Sequence, residues 1–286
     1  MARDRVQRTH HDAFREFMKQ SKLQWNRRYP DFRKHYDGDK VAAYKLVKDH
    51  VKVPHIYHHL KSVHDLTAKM LERLPVDQFV IKAVLGSQGH RVICVHRKHG
   101  SYRDILRTTR FGRSKLSSMT VDDLLSYVKR VMRHKARSKG TELIIEQFLG
   151  DPYRGLPTDY KVYVVNGVAK MISIFVRRGK REYSNTFDRE WNMIPLDRMF
   201  RDPSELEYIE SAIDFEPLPS RAVRDRLLQT AEALARAHRT AFCRYDFYCI
   251  GDDIYFGEIT PVCGDLNNYD ILETPLNVLY PIRTDQ

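Results

Sequence analysis

A chain of 286 residues, 42% apolar and 11% aromatic, is long enough for roughly two domains and is neither a disordered polymer nor a small disulfide scaffold. Its 49 Lys and Arg against 37 Asp and Glu leave a formal charge of +12, which favours anionic partners such as nucleotides, sugar acids, nucleic acid or acidic lipid. Cys94, Cys243, Cys249 and Cys263 show no CxxC spacing, and no apolar run approaches the ~20 residues of a membrane span, so the sequence predicts a soluble protein of the reducing cytoplasm.

Residues 1–38 read as a basic extension. His11 to Lys22 places Phe14, Phe17 and Met18 on one helical face, the pattern of a helix docked on a larger body. Asp39 opens a second helix through Val51, stopped by Val53-Pro54. His55, His58, His59 and His64 then follow at helix-like spacings and read as a basic solvent face rather than a zinc site. From Gln78 the pattern turns to strands. Phe79 to Leu85 and Arg91 to Val95 predict a hairpin around Gly86-Ser87-Gln88-Gly89-His90. Thr120 and Asp123 make a capping box for a helix with Val121, Leu124, Leu125, Val128 and Met132 on one face. Glu142 to Leu149 reads as a strand. Asn166-Gly167 joins Tyr160–Val165 to Val168–Val176 in a predicted type I′ hairpin. Residues 177–220 read as irregular and polar. Ala222 to Arg239 reads as a helix, and Cys243–Ile250 with Ile254–Ile259 as a last hairpin. Antiparallel strands mixed with helices, in two groups, indicate an α+β fold.

Two constellations carry chemistry. Lys82 sits in an apolar strand immediately before the glycine loop, where a phosphate supplies the missing counter-charge and loop N–H groups close over its oxygens; a solvent-facing Lys82 is the structural alternative. The loop is not a Walker motif, and no kinase signature is present. Asp246 lies two residues after Arg244, on one strand face, and Glu258 lies on the partner strand. Two facing carboxylates repel unless a cation sits between them, and Mg²⁺ takes one or two carboxylates plus phosphate oxygens. An acidic residue, Glu146, also ends the apolar strand Ile144-Ile145-Glu146-Gln147-Phe148-Leu149.

In order, Asp39-Lys40, Val80-Ile81-Lys82 with the glycine loop, Ile144 to Leu149, Arg244-Tyr245-Asp246-Phe247 and Gly257-Glu258-Ile259-Thr260-Pro261 resemble the ATP-grasp superfamily. Leu156 to Tyr163 with Asn166-Gly167, Phe187 to Asn192 and Ile254 to Thr260 resemble its TupA-like branch, associated with teichuronopeptide synthesis. The resemblance implies two α+β subdomains gripping ATP between antiparallel sheets. Residues 39–75 would form the N-terminal part of this region, 76–149 a lid subdomain, and 150–286 a C-terminal subdomain with the Mg²⁺ hairpin. It implies that Lys40 and Lys82 contact phosphates and that Gly86, Ser87, Gln88 and Gly89 fold over them. It further implies that Glu146, Phe148 and Leu149 read adenine, Asp159 the ribose and Lys161 a phosphate. Asp246, Glu258 and Thr260 would hold Mg²⁺, and Arg244 the reacting oxyanion. Thr260 stands where many members have Asn, Gln147 replaces an acidic residue, and residues 261–265 lack the usual glycine-rich run.

The expected function is ATP- and Mg²⁺-dependent ligation of a carboxylate, from an amino acid or sugar acid, to an amine through an acyl phosphate, in cell-envelope polysaccharide or natural-product assembly. The alternative on the same scaffold is a phosphotransferase acting on a sugar-type hydroxyl; the expected partners are a small-molecule carboxylate and amine, or an anionic saccharide. A basic nucleic-acid-binding module accounts for the charge but gives the acidic pair no role.

Overall fold

Among the residues that the computed structural model describes (2–30, 39–85, 91–105, 118–133, 141–151, 155–178, 181–195, 199, 211–214, 217–263, 266 and 274–276), eleven strands form two antiparallel sheets. The first sheet contains β1 (Ile56–Leu60), β2 (Gln78–Ala83), β3 (Val92–Lys98), β4 (Ser101–Asp104) and β5 (Leu143–Gln147), in the order β1-β5-β2-β3-β4. Period-two alternation divides its faces. Phe79, Ile81, Val95, Leu143 and Ile145 pack under Leu124, Val128 and Met132 of a helix over Val121–Arg133. That helix begins as its capping box requires, with Thr120 N–H donating to Asp123 Oδ2 (3.0 Å) and Asp123 N–H to Thr120 Oγ1 (3.1 Å). Val80, Lys82, Cys94 and Glu146 lie on the opposite face.

The second sheet contains β6 (Asp159–Val165), β7 (Val168–Arg178), β8 (Arg181–Asp188), β9 (Met193–Ile194), β10 (Phe242–Ile250) and β11 (Asp253–Thr260), ordered β11-β10-β6-β7-β8-β9. Asn166 and Gly167 turn β6 into β7 with φ of +48° and +77°. One face is the main core: Val162, Ile172, Tyr245, Phe247 and Phe256 meet Leu227, Ala231, Leu234 and Ala235 of the helix Arg221–His238. In helix order, α1 spans Ala2–Arg28, α2 Lys40–Val47, α3 Ala68–Glu72, α4 Val121–Arg133 and α5 Arg221–His238.

The basic extension is a clamp on this sheet. Phe14, Phe17 and Met18 of α1 pack on Tyr163, Met171 and Phe242 on one face, and Trp25 joins the core on the other. Between them Ser21 Oγ accepts from Phe242 N–H at 2.8 Å and donates to Phe242 C=O at 3.1 Å. β11 ends at Thr260, opposite Arg244, so this hydroxyl serves a backbone edge beyond the last strand pairing.

Three expectations are corrected. Residues 177–220 include a full strand, β8, because its centre buries Ser184, Asn185 and Thr186 rather than apolar residues and so lacks a hydrophobic period. Those groups are satisfied: Thr186 Oγ1 meets Ser173 Oγ at 3.1 Å, and Asn185 Oδ1 accepts from the N–H groups of Ala212 (2.7 Å) and Ile213 (3.0 Å). His58 and His59 lie in β1, on alternate faces, not on a helix, and His59 Nε2 pairs with Glu142 at 2.7 Å. The second helix ends at Val47 rather than Val51.

His238, 3% exposed at the end of α5, is held by Tyr245 Oη at 3.0 Å from Nδ1 and by Trp25 edge-to-face at 5.5 Å. Burial, with His50 nearby, pushes its pKa down to about 4. Between 6.5 and 4 the unfolded chain binds the proton and the folded one does not. This contribution to stability is therefore complete above about pH 6.5 and is lost on acidification by about 1.4 kcal/mol per unit. Urea midpoints are expected to fall from pH 6.5 to 5, and His238→Gln to flatten that slope.

Candidate functional site

The second sheet's other face carries the charges. Asp246 of β10 lies opposite Lys161 of β6 on one side and Glu258 of β11 on the other. A bulge makes the second pairing compatible with the core. Phe247 pairs with Phe256, and Gly257 is the extra residue. In an unbroken strand Phe256 and Glu258 would point the same way; the bulge turns Phe256 into the core and leaves Glu258 beside Asp246. A Cβ at Gly257 would come within 3.1 Å of both Asp246 C=O and the Tyr248 ring, which explains glycine there.

Asp246 is 3% exposed. Arg244 grips it with Nε to Oδ1 at 2.6 Å and Nη2 to Oδ2 at 2.9 Å, and Nη2 also donates to Thr260 Oγ1 at 3.1 Å. Lys161 Nζ bridges Asp246 Oδ2 (2.6 Å) and Asp159 Oδ2 (2.7 Å). Burial opposes the Asp246 charge, but Arg244 and Lys161 outweigh it and hold the carboxyl below its usual pKa. Burial likewise opposes the Lys161 charge, and Asp159 with Asp246 raises its pKa nonetheless. Asp159 and Glu258 are pushed up, first by burial and then by Asp246. Asp159 Oδ1 is buried without a hydrogen-bond partner among the described residues.

The first sheet brings its own pair. Lys82 Nζ contacts Glu146 Oε1 at 2.5 Å, with side chains 11% and 5% exposed. Tyr44, from α2, joins both: its hydroxyl donates to Glu146 Oε2 (3.0 Å) and accepts from Lys82 Nζ (2.8 Å). Asp39 caps α2 by accepting from Ala42 N–H at 2.9 Å, and Lys40 N–H donates to Val84 C=O at 3.3 Å, so the helix starts at the end of β2. Burial, reinforced by Lys82, lowers the Lys40 pKa to about 8, against the pull of Glu258 and Glu146. Lys40 therefore stands in the fields of both charged faces.

Of the residues singled out from sequence, Lys82 and Glu146 pair on one sheet, while Asp159, Lys161, Arg244, Asp246, Glu258 and Thr260 share one face of the other. Phe148 packs with Val80, Cys94 and Ile105 on the Lys82 side, and Leu149 follows it, half-buried. Gly86, Ser87, Gln88, Gly89 and His90 lie outside the described residues. Sequence reading did not single out Tyr44; its spacing of four from Lys40 was the available signal. It passed over Tyr248, which shares the Asp246 face and feels Asp159 and Lys82.

Asp246 and Glu258 are donors of the kind Mg²⁺ takes, one or two protein carboxylates with phosphate oxygens and water completing the shell, and a bound ion would share Asp246 with Arg244 and Lys161. Among the described residues no cluster of three His, Cys, Asp or Glu side chains is arranged to hold a metal by itself.

Two antiparallel sheets with helices, one bearing a buried lysine–carboxylate pair and the other an Arg-Asp-Glu hairpin, make an α+β ATP-grasp fold. Residues 21–274 match the model of TupA-like ATP-grasp proteins, and the chain belongs to that family. Among solved structures it is similar to a D-alanine–D-alanine ligase from Bacillus anthracis, with 16% identity, a TM-score of 0.49, and coverage of 84% of this chain and 68% of that one. The VanG D-Ala:D-Ser ligase from Enterococcus faecalis gives 14% identity, 84% and 57% coverage, and a TM-score of 0.49. The ATP-grasp ligase PsnB complexed with minimal precursor, Mg and ADP gives 12% identity, 79% and 50% coverage, and 0.39. The chain thus spans between half and about two thirds of these structures' length. No curated protein matches it by sequence.

A buried lysine whose pKa is depressed costs the unliganded fold stability while it is charged. Lys40→Met is expected to unfold at higher urea concentration than the parent at pH 7. The gain should shrink from pH 8 to 10.5, where the folded lysine is already neutral and the unfolded one is losing its proton.

Proposed function

We propose that the chain is an ATP- and Mg²⁺-dependent ligase that joins a carboxylate to an amine through an acyl phosphate. The observation that carries this reading is the Arg244–Asp246–Lys161–Asp159 cluster with Glu258 opposite, a set of paired charges around a buried carboxylate on one sheet face. Structural stability does not call for such a set, because well-packed apolar residues would hold the sheet as firmly.

In this reading Lys40 and Lys82 take the ATP phosphates, and Glu146 with the backbone near Phe148 and Leu149 reads the base. Asp159 accepts from the ribose, and Lys161 faces a phosphate. Asp246, Glu258 and Thr260 would hold Mg²⁺, which, when bound, neutralises charge on the transferring phosphoryl oxygens. The substrate carboxylate oxygen attacks the γ-phosphorus and ADP leaves. The amine nitrogen then attacks the acyl carbon, phosphate departs, and the ammonium proton passes to solvent. Arg244, whose Nε and Nη2 hold Asp246, would present the other edge of its guanidinium to the oxyanion formed in the second step. The first substrate is an amino acid or sugar acid, and cytoplasmic cell-envelope or natural-product assembly is the setting consistent with the family. ATP consumption with a panel of such carboxylates and amines tests the reading. A ligase releases free phosphate only when both acceptors are present, whereas a phosphotransferase leaves a stable phosphorylated product.

Asp246→Asn and Glu258→Gln are expected to fold and to lose Mg²⁺-dependent turnover. Full turnover in both would remove the metal assignment. Glu258→Gln should also raise the melting temperature without ligand, because it relieves a like-charge neighbour of Asp246.

Arg244→Ala is expected to keep ATP affinity and lose about 10²–10³ in the rate of ligation, the cost of one oxyanion donor. Arg244→Lys should fare little better, since a point charge cannot grip Asp246 and reach the oxyanion at once. Single-turnover kinetics at saturating ATP and Mg²⁺ separate this from loss of folded enzyme. A normal chemical step would leave Arg244 as only the counter-ion of Asp246.

A further inference from the structure

α2 contributes a group that neither the phosphate lysines nor the carboxylate hairpin requires. Tyr44 is 4% exposed, and its ring lies edge-to-face on Phe256, centroids 6.1 Å apart at 82°. The Lys82 ammonium sits 5.2 Å from the centroid of the Tyr44 ring. A phenol has one proton to give. Burial and the adjacent Glu146 push the Tyr44 pKa well above its ordinary value, so the hydroxyl stays a donor and its proton goes to Glu146. Glu146 is therefore gripped at both oxygens, Oε1 by Lys82 at 2.5 Å and Oε2 by Tyr44 at 3.0 Å. Three elements, α2, β2 and β5, fix the plane of one carboxylate.

We propose that Tyr44 is a specificity-determining residue for the nucleotide base: by donating to Glu146 it fixes that carboxylate as an oriented acceptor, which selects a base bearing an exocyclic amino group over one bearing a carbonyl. This rests on the nucleotide reading given above. Two donors already engage Glu146, so its remaining lone pairs suit an incoming N–H. A carbonyl in the same place sets acceptor against acceptor, and a buried mismatch of that kind costs more than a missing contact. Without the hydroxyl, Glu146 keeps the Lys82 contact and can turn about that pair. Tyr44 acts through Glu146 and touches no reacting atom, so it is a positioning residue.

Calorimetry with ATP and with ITP, in which a carbonyl replaces the amino group, tests this on the unaltered chain, Tyr44→Phe, Glu146→Gln and the double variant. Tyr44→Phe is expected to lower the ATP-to-ITP preference roughly tenfold, mainly by weakening ATP, the effect of one hydrogen bond to a charged group. Its melting temperature should fall by only a few degrees, because Glu146 and Lys82 lose one buried partner while the ring still packs on Phe256. In the Glu146→Gln background, removing the hydroxyl should change the preference no further, as expected of two residues acting as one unit. An unchanged preference in Tyr44→Phe, an equal loss for both nucleotides, or an additive double variant overturns the proposal. If Tyr44→Phe does not fold, fluorotyrosine at position 44 keeps ring and hydroxyl. Its fluorine resonance should shift with ATP and not with ITP, and the same shift with both overturns the proposal. An unaltered chain that binds neither nucleotide overturns the nucleotide reading itself, an outcome distinct from intact ATP binding with an indifferent Tyr44.

Discussion

An ionised carboxylate that is 3% exposed must have cations within contact distance, and Asp246 shapes the second sheet around that requirement. Arg244 comes from its own strand, two residues away, and Lys161 from the neighbouring strand in register. Lys161 in turn is shared with Asp159, so three strand positions on two strands are tied to one oxygen pair. Glu258 enters from the third strand only because the bulge at Gly257 turns it there. Breaking one partner of such a set leaves a buried charge uncompensated, a far larger penalty than the set contributes when whole. The apolar layer behind it, Val162, Tyr245, Phe247 and Phe256, gives the rigid backing that keeps these short contacts in place.

α2 connects this cluster with the first sheet. Its capped start is bonded to the end of β2, its middle contributes Tyr44 to Lys82 and Glu146, and the Tyr44 ring rests on β11 through Phe256. The segment after it continues the link: Phe256 N–H donates to Lys52 C=O at 2.8 Å. Lys40, at the first turn, consequently feels Lys82 from one sheet and Glu258 from the other. Burial at that position, reinforced by Lys82 and opposed by Glu258, depresses its pKa.

α1 plays a comparable part at the far end of the second sheet. Its aromatic face covers Tyr163, which lies opposite Arg244 in the β6–β10 pairing, so the wall beyond the arginine is apolar and built partly from the chain's first helix. Arg15, Lys19 and Arg27 of that helix are exposed; the docking is done by Phe14, Phe17, Met18, Ser21 and Trp25.

Periodicity and turn residues revealed the amphipathic helices α4 and α5, the three hairpins β2–β3, β6–β7 and β10–β11, and the chemical oddity of Lys82 and of the Arg244–Asp246 spacing, because each rests on contacts within a few residues of chain. Gly257 carried no such signal: a bulge depends on how two strands meet, and the flip of Glu258 relative to Phe256 is invisible along a single strand. β8 escaped because its buried centre is polar and is satisfied by Ser173 and by backbone from residues 212–213, partners that sequence distance conceals. The histidines of β1 fit a helical spacing until pairing with β5 set their period to two. The grip of Tyr44 on Glu146, 102 residues away, was likewise hidden, since a tyrosine on an apolar helix face reads as core until the fold brings a lysine and a carboxylate to its hydroxyl.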